Sequence, residues 1–94
     1  MDSYFLSIID RLTFEEIDLL NHLTKKDSTN VLTSIKKKEL QSESKMSDAT
    51  FRKTLNRLEA MLFINTVTGN KEHSIYATEY GQEAIQVIYE RSNN

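Results

Sequence analysis

A mainly α-helical single domain with one small β-hairpin is the fold class this chain predicts, on three observations. Proline is absent and glycine occurs only at Gly69 and Gly81, so few positions force the backbone out of a helix. Apolar residues recur at three- and four-residue spacing through most of the chain. The exception is FINTVTGNKEHSIYAT, where β-branched and aromatic residues form two short runs around a glycine-containing turn. Ninety-four residues, 38% apolar and 28% charged, suit one globule and are too few for two cores. Residues 1–94 divide into an N-terminal helix (1–12), a central block (13–78) and a C-terminal helix with its tail (79–94).

The first helix is expected over residues 2–11. Tyr4, Phe5, Ile8, Ile9 and Leu12 make a broad apolar stripe there. Such a stripe serves either as core or as a seat for a second copy of the chain. Thr13-x-x-Glu16 is a capping box that opens the second helix, and Phe14, Ile17, Leu19, Leu20 and Leu23 follow as its apolar face. That helix is expected to stop near Lys25-Lys26, where cations suit the carbonyl end. KKDSTN reads as a polar connector. In VLTSIKKKELQSESKMS, one or two short helical pieces are expected to bury Val31, Leu32, Ile35 and Leu40.

KKKELQSES has the length of a short helix, SKMS makes a turn, and Ser47 caps the helix after it. Two short helices joined by such a turn form a helix-turn-helix. On a wheel of about 100° per residue, Leu55, Leu58 and Leu62 fall within about 40° of Phe51 and form a buried seam. The opposite arc of this helix, expected over 48–62, carries Thr50, Arg52, Lys53, Asn56, Arg57 and Ala60. Strands are expected over 63–68 and 75–78, with Gly69 and Asn70 in the turn between them. Thr78 then caps a last helix over 79–91, with Ala84, Ile85 and Ile88 on one face and Tyr80, Val87 and Tyr89 beside it.

Helix-turn-helix, hairpin, helix is the order of a winged helix. TLNRLEAMLFI resembles the recognition helix running into the first wing strand of MarR-type and ArsR-type DNA-binding proteins. SIYATEYGQEAI resembles the second wing strand entering the next helix, with Tyr76, Thr78 and Gly81 at the family positions. Ala77 stands where the family usually has leucine, and Leu62-Phe63 stand where it usually has glycine. The resemblance implies a winged helix-turn-helix and, as function, sequence-specific binding of duplex DNA. It covers two kinds of small dimeric protein, transcriptional repressors and TubR-like adaptors that bind plasmid centromeres. Regulation of transcription is the first expectation and partition the alternative; a winged helix used for protein–protein contact is a third.

Charge gives the same direction. The chain has a net charge of -2, yet residues 34–57 hold seven cations, Lys36, Lys37, Lys38, Lys45, Arg52, Lys53 and Arg57, against Glu39, Glu43 and Asp48. A nearby phosphate feels this local excess more than the net charge, because physiological salt screens over about 8 Å. On the third helix of the central block, Thr50, Arg52, Lys53, Asn56 and Arg57 are the residue types that meet base edges in a major groove. Ser47 and the helix N-terminus are expected at a phosphate, as are Lys36, Lys37, Lys38 and Lys45. Asn70, Lys71 and His73 at the wing tip are expected at a neighbouring minor groove or backbone.

A homodimer is expected, since two copies present two recognition helices about 34 Å apart. Tyr4, Phe5, Ile8, Ile9, Ile85, Ile88 and Tyr89 are the expected interface. The monomeric alternative has the first and last helices cover each other.

Other classes are disfavoured. There is no cysteine, so disulfides and thiolate metal sites are excluded. No glycine-rich phosphate loop, HExxH or GxSxG occurs, and no catalytic acid, base or nucleophile stands out. No enzyme and no cofactor is expected. MDSYFLSIID is too polar for a signal peptide and no apolar run approaches membrane-spanning length, which suits the cytoplasm.

Overall fold

The computed structural model describes residues 3–69 and 72–92. Helix α1 (Ser3–Ile9) leads into α2 (Phe14–Lys25), a single 3-10 turn (Val31–Thr33), and strand β1 (Ile35–Lys36). Helices α3 (Lys37–Ser44) and α4 (Asp48–Ala60) follow, then β2 (Ile64–Thr68), β3 (His73–Ala77) and α5 (Glu79–Ser92). The strands form one antiparallel sheet in the order β1-β3-β2. Opposite pairs run from Ile64 against Ala77 to Thr68 against His73, and β1 sets Ile35 beside Ile75. Among the described residues no helix is long and apolar enough to cross a membrane.

The capping box is formed as expected. Thr13 Oγ1 accepts from Glu16 N at 3.2 Å, and Glu16 Oε1 accepts from Thr13 N at 2.9 Å. One core gathers Leu19, Leu20 and Leu23 of α2, Leu40 of α3 and Phe51, Leu55 and Leu58 of α4. Phe63, Ile64, Ile75 and Ala77 extend it onto the sheet, and Ala84, Ile85 and Val87 onto α5. Phe5 and Ile9 of α1 complete it, Phe5 meeting Phe63 edge-on at 6.1 Å between ring centres.

The hairpin is one strand larger than expected. Ile35 and Lys36 are strand, not helix, because β3 has an open edge whose backbone groups need partners. Phe14, expected on the buried face of α2, is 78% exposed, and Leu32 is 96% exposed with Val31 also outside. Phe14 is the first residue of α2, and Val31 and Leu32 sit in an isolated 3-10 turn, where the turn of the chain rather than side-chain type decides which way a residue faces. Leu62 is exposed as well, since α4 stops at Ala60.

Three left-handed residues, Asp27, Lys45 and Leu62, follow helices α2, α3 and α4, and none is glycine. After α4, Phe63 N bonds Leu58 O and Leu62 N bonds Glu59 O, the paired bonds of a Schellman stop. After α2, Ser28 N bonds Leu23 O and Asp27 N bonds Thr24 O in the same manner. Ser28 is fully buried; its hydroxyl donates to Ile75 O at 2.9 Å, and its carbonyl accepts from Ala77 N. The stretch read as a loose connector therefore pins α2 to β3.

Thr78 and Gly81 join the wing to α5. Thr78 Oγ1 donates to Leu62 O at 2.6 Å and accepts from Gly81 N at 3.2 Å. A Cβ on Gly81 would stand 2.2 Å from Phe63 O and 3.1 Å from Leu20 Cδ2. Gly81 is required by this close approach, not by its backbone angle.

Candidate nucleic-acid interface

Helix α4 is amphipathic because its apolar side chains repeat at helical spacing, and burial of Phe51, Leu55 and Leu58 turns the other arc outward. Thr50, Arg52, Lys53, Asn56, Arg57 and Ala60 are all exposed. Asp48, Ala49, Arg52, Lys53, Asn56 and Arg57 line one open concavity of about 700 Å³ on that arc. Ser47 caps the helix, accepting from Thr50 N at 3.3 Å and donating to Thr50 Oγ1 at 3.1 Å. Asp48 accepts from Gln41 Nε2, which fixes α3 against the start of α4.

The expected phosphate contacts divide. Among the described residues, the side chains of Lys37, Lys38, Lys45, Arg52, Lys53 and Asn56 make no hydrogen bond or ion pair. Lys36 instead pairs with Glu72 at the root of the wing, Nζ to Oε2 at 3.2 Å. Lys36, Lys37, Lys38, Glu72 and His73 surround one small recess, so α3 and the wing root share a surface. Lys37 and Lys38 sit in the first turn of α3, where the positive end of the helix dipole disfavours cations. Asn70 and Lys71 lie outside the described residues.

Arg57 is placed differently from its neighbours. Its Nε donates to Oε2 of Glu16, a residue 1% exposed, while the Arg57 side chain stays 47% exposed. This bond, with the adjacent charge, holds the guanidinium pKa above its ordinary value. Sequence reasoning gave Glu16 only its capping role. No signal in the sequence marked the bond: Arg57 falls at about 240° from Phe51, no nearer the edge of the polar arc than Arg52 at about 100°.

The expected dimer residues divide too. Phe5, Ile9 and Ile85 are buried within the single chain, because α1 and α5 both close its core. Tyr4 and Tyr89 are exposed, and Ile8 and Ile88 are half-buried at its edge. Tyr89 donates to Asn21 Oδ1 at 3.1 Å, and Arg91 to Asp10 Oδ1 at 2.6 Å. Tyr4, Ile8, Leu62 and Tyr80 line an apolar recess of about 450 Å³ between α1, the end of α4 and the start of α5.

The DNA-binding protein TubR of Priestia megaterium (strain ATCC 12872 / QMB1551) is 48% identical over 86 residues, 92% of this chain and 85% of that protein. The solved structure of TubR from Bacillus megaterium pBM400 superposes with a TM-score of 0.90 at 45% identity, over 94% of this chain and 98% of that one. A MepR–DNA complex from S. aureus (TM-score 0.73, 15% identity, 94% of this chain and 69% of that one) shares the fold. So does MarR (0.75, 23% identity, 94% and 61%). No family model matches the chain. With nearly half its residues shared along almost its whole length, the chain belongs to the TubR family, a non-enzymatic family with the winged helix-turn-helix fold.

Proposed function

We propose that the chain binds duplex DNA as a homodimer, laying the exposed arc of α4 in the major groove. The observation that carries this is the unpaired group Arg52, Lys53 and Asn56 on one open face of an otherwise acidic protein. Arginine and asparagine offer paired bonds to guanine and adenine edges, and Thr50 a hydroxyl and a methyl. Lys37 and Lys38 support the same reading, since their position works against α3, is offset within the turn by Glu39 alone, and is compensated further by an anion such as phosphate. Lys45 and the α4 start with Ser47 take phosphate, while Lys36 and His73 hold the wing root beside it.

Within DNA binding, kinship to TubR favours a partition role, in which copies occupy an iterated centromere-like site, over the repressor role. The homodimer would form through the apolar surface that α1 and α5 leave outside, with Tyr4, Ile8, Ile88 and Tyr89 at its margin. Burial of Phe5, Ile9 and Ile85 in the chain's own core removes them from that surface.

Selection of bound fragments from a random duplex pool tests the proposal. Enrichment of tandem short repeats supports partition, a single inverted repeat supports an operator, and no enrichment with no retention on heparin sinks DNA binding. Sedimentation equilibrium of Ile8→Glu checks the dimer: a shift from dimer to monomer is expected.

A further inference from the structure

A carboxylate that is 1% exposed costs several kcal/mol in desolvation unless its oxygens are satisfied. Capping α2 uses one oxygen of Glu16, and glutamine fills that capping position equally well. The charge therefore serves the other oxygen, which accepts from Arg57 Nε. This bond reaches across 41 residues to the helix proposed to enter the groove. Engaging Nε fixes the plane of the guanidinium and leaves the edge carrying its two terminal nitrogens. Among the described residues those nitrogens have no protein partner.

The surroundings say where that edge points. Arg57 and Lys53 share the wall of a polar cleft of about 310 Å³ between the start of α2 and α4, with Thr13, Thr50 and Thr54. Glu15 and Glu16 also line it, so the cleft offers no broad positive field. What it offers is one oriented fork beside one free ammonium. Glu16 draws Arg57 off the outer face of α4 toward the start of α2, so it faces the wall of a groove rather than its floor. The acceptor on a groove wall is a phosphate.

We infer that Glu16 is a positioning residue for DNA binding: it orients Arg57 for a two-pronged contact with one phosphate on the groove wall. The inference rests on the DNA-binding reading above. It makes an unusual forecast, because deleting an acid near DNA ordinarily strengthens binding. Here Glu16→Gln keeps the α2 cap and the packing but turns an amide donor toward Arg57 Nε.

The test measures binding of a labelled mixed-sequence duplex across a salt series. The proteins are wild type, Glu16→Gln, Arg57→Lys, the combined variant and Arg52→Ala/Lys53→Ala, with folding checked by circular dichroism. Glu16→Gln is expected to weaken binding about tenfold and to lower the salt slope by about 0.9, the share of one phosphate. Arg57→Lys keeps the charge and is expected to lose a similar amount, and the combined variant no more than either. Loss of stability alone leaves the salt slope of the folded protein unchanged. If wild type binds and Arg52→Ala/Lys53→Ala does not, yet Glu16→Gln or Arg57→Lys binds as well as wild type, the inference falls and DNA binding stands. If wild type itself fails to bind, both fall.

Discussion

The two sides of this molecule pair their cations to different degrees. On the side of α1, α2 and α5, Arg91 is paired with Asp10 and Lys26 with His22 meets Glu43 of α3, while among the described residues Arg11 and Lys25 have no partner. On α4 and the start of α3, Arg52, Lys53, Lys37 and Lys38 have no partner among the described residues, while Arg57 is paired with Glu16 and Lys36 with Glu72. Exposed ion pairs contribute little stability, at most about 1 kcal/mol each, so pairing is not what holds the fold. Its consequence is that unpaired cations are densest on the α4 side, where the positive field is concentrated. A chain with net charge -2 thereby presents a locally cationic surface without becoming a basic protein.

This contrast can be broken or sharpened by substitution, beginning with the joint between the two sides. Gly81→Ala places a methyl against the Phe63 carbonyl, a backbone atom that cannot rotate away. A loss of about 3 kcal/mol in urea denaturation is expected, the upper range for overpacking. Arg57→Ala comes next. It strands a buried oxygen of Glu16, so it should lower the thermal midpoint where Arg52→Ala leaves it unchanged. Loss of DNA binding by Arg57→Ala alone would therefore mix two causes, and the pair Arg52 and Lys53 is the cleaner probe.

Smaller effects follow. Leu62 occupies a left-handed position that disfavours a side chain, so Leu62→Gly should gain about 0.5–1 kcal/mol in the same denaturation measurement. A simultaneous fall in dimer affinity would assign Leu62 to the interface. The Glu43 carboxyl is held below its ordinary 4.5 by its hydrogen bond with His22, then by that from Lys26. A lowered carboxyl adds stability above that ordinary value, and the increment disappears as pH falls through the lowered one. Glu43→Gln should flatten the acid side of the pH–stability curve slightly.

Much of this architecture could be read from residue order. Thr13-x-x-Glu16 located α2, the Phe51, Leu55 and Leu58 spacing set the outward arc of α4, and Tyr76, Thr78 and Gly81 marked the wing-to-helix joint. The first two signals are local, and local geometry suffices to realise them; the third was legible only through the family resemblance, because Gly81 answers to Phe63 and Leu20. What escaped was either disguised or long-range. Lys25-Lys26 and SKMS marked the ends of α2 and α3, but the end of α4 before left-handed Leu62 carries no glycine, so nothing in composition marked it. Strand β1 exists because β3, far along the chain, has an edge to fill. Glu16 satisfied one motif so well that its second bond, to Arg57, had no separate signature. Ser28 looked like linker because two of its three hydrogen bonds, those with Ile75 and Ala77, depend on where β3 returns.

The most direct measurement is duplex-DNA affinity as a function of salt for wild type and for Arg52→Ala/Lys53→Ala. The predicted result is steep weakening with salt for wild type, and for the variant an affinity about a hundredfold lower with a slope smaller by roughly one to two, at unchanged thermal stability. Salt-independent binding by wild type, or a variant that binds as wild type does, would contradict the assignment of α4 as the DNA-contacting helix.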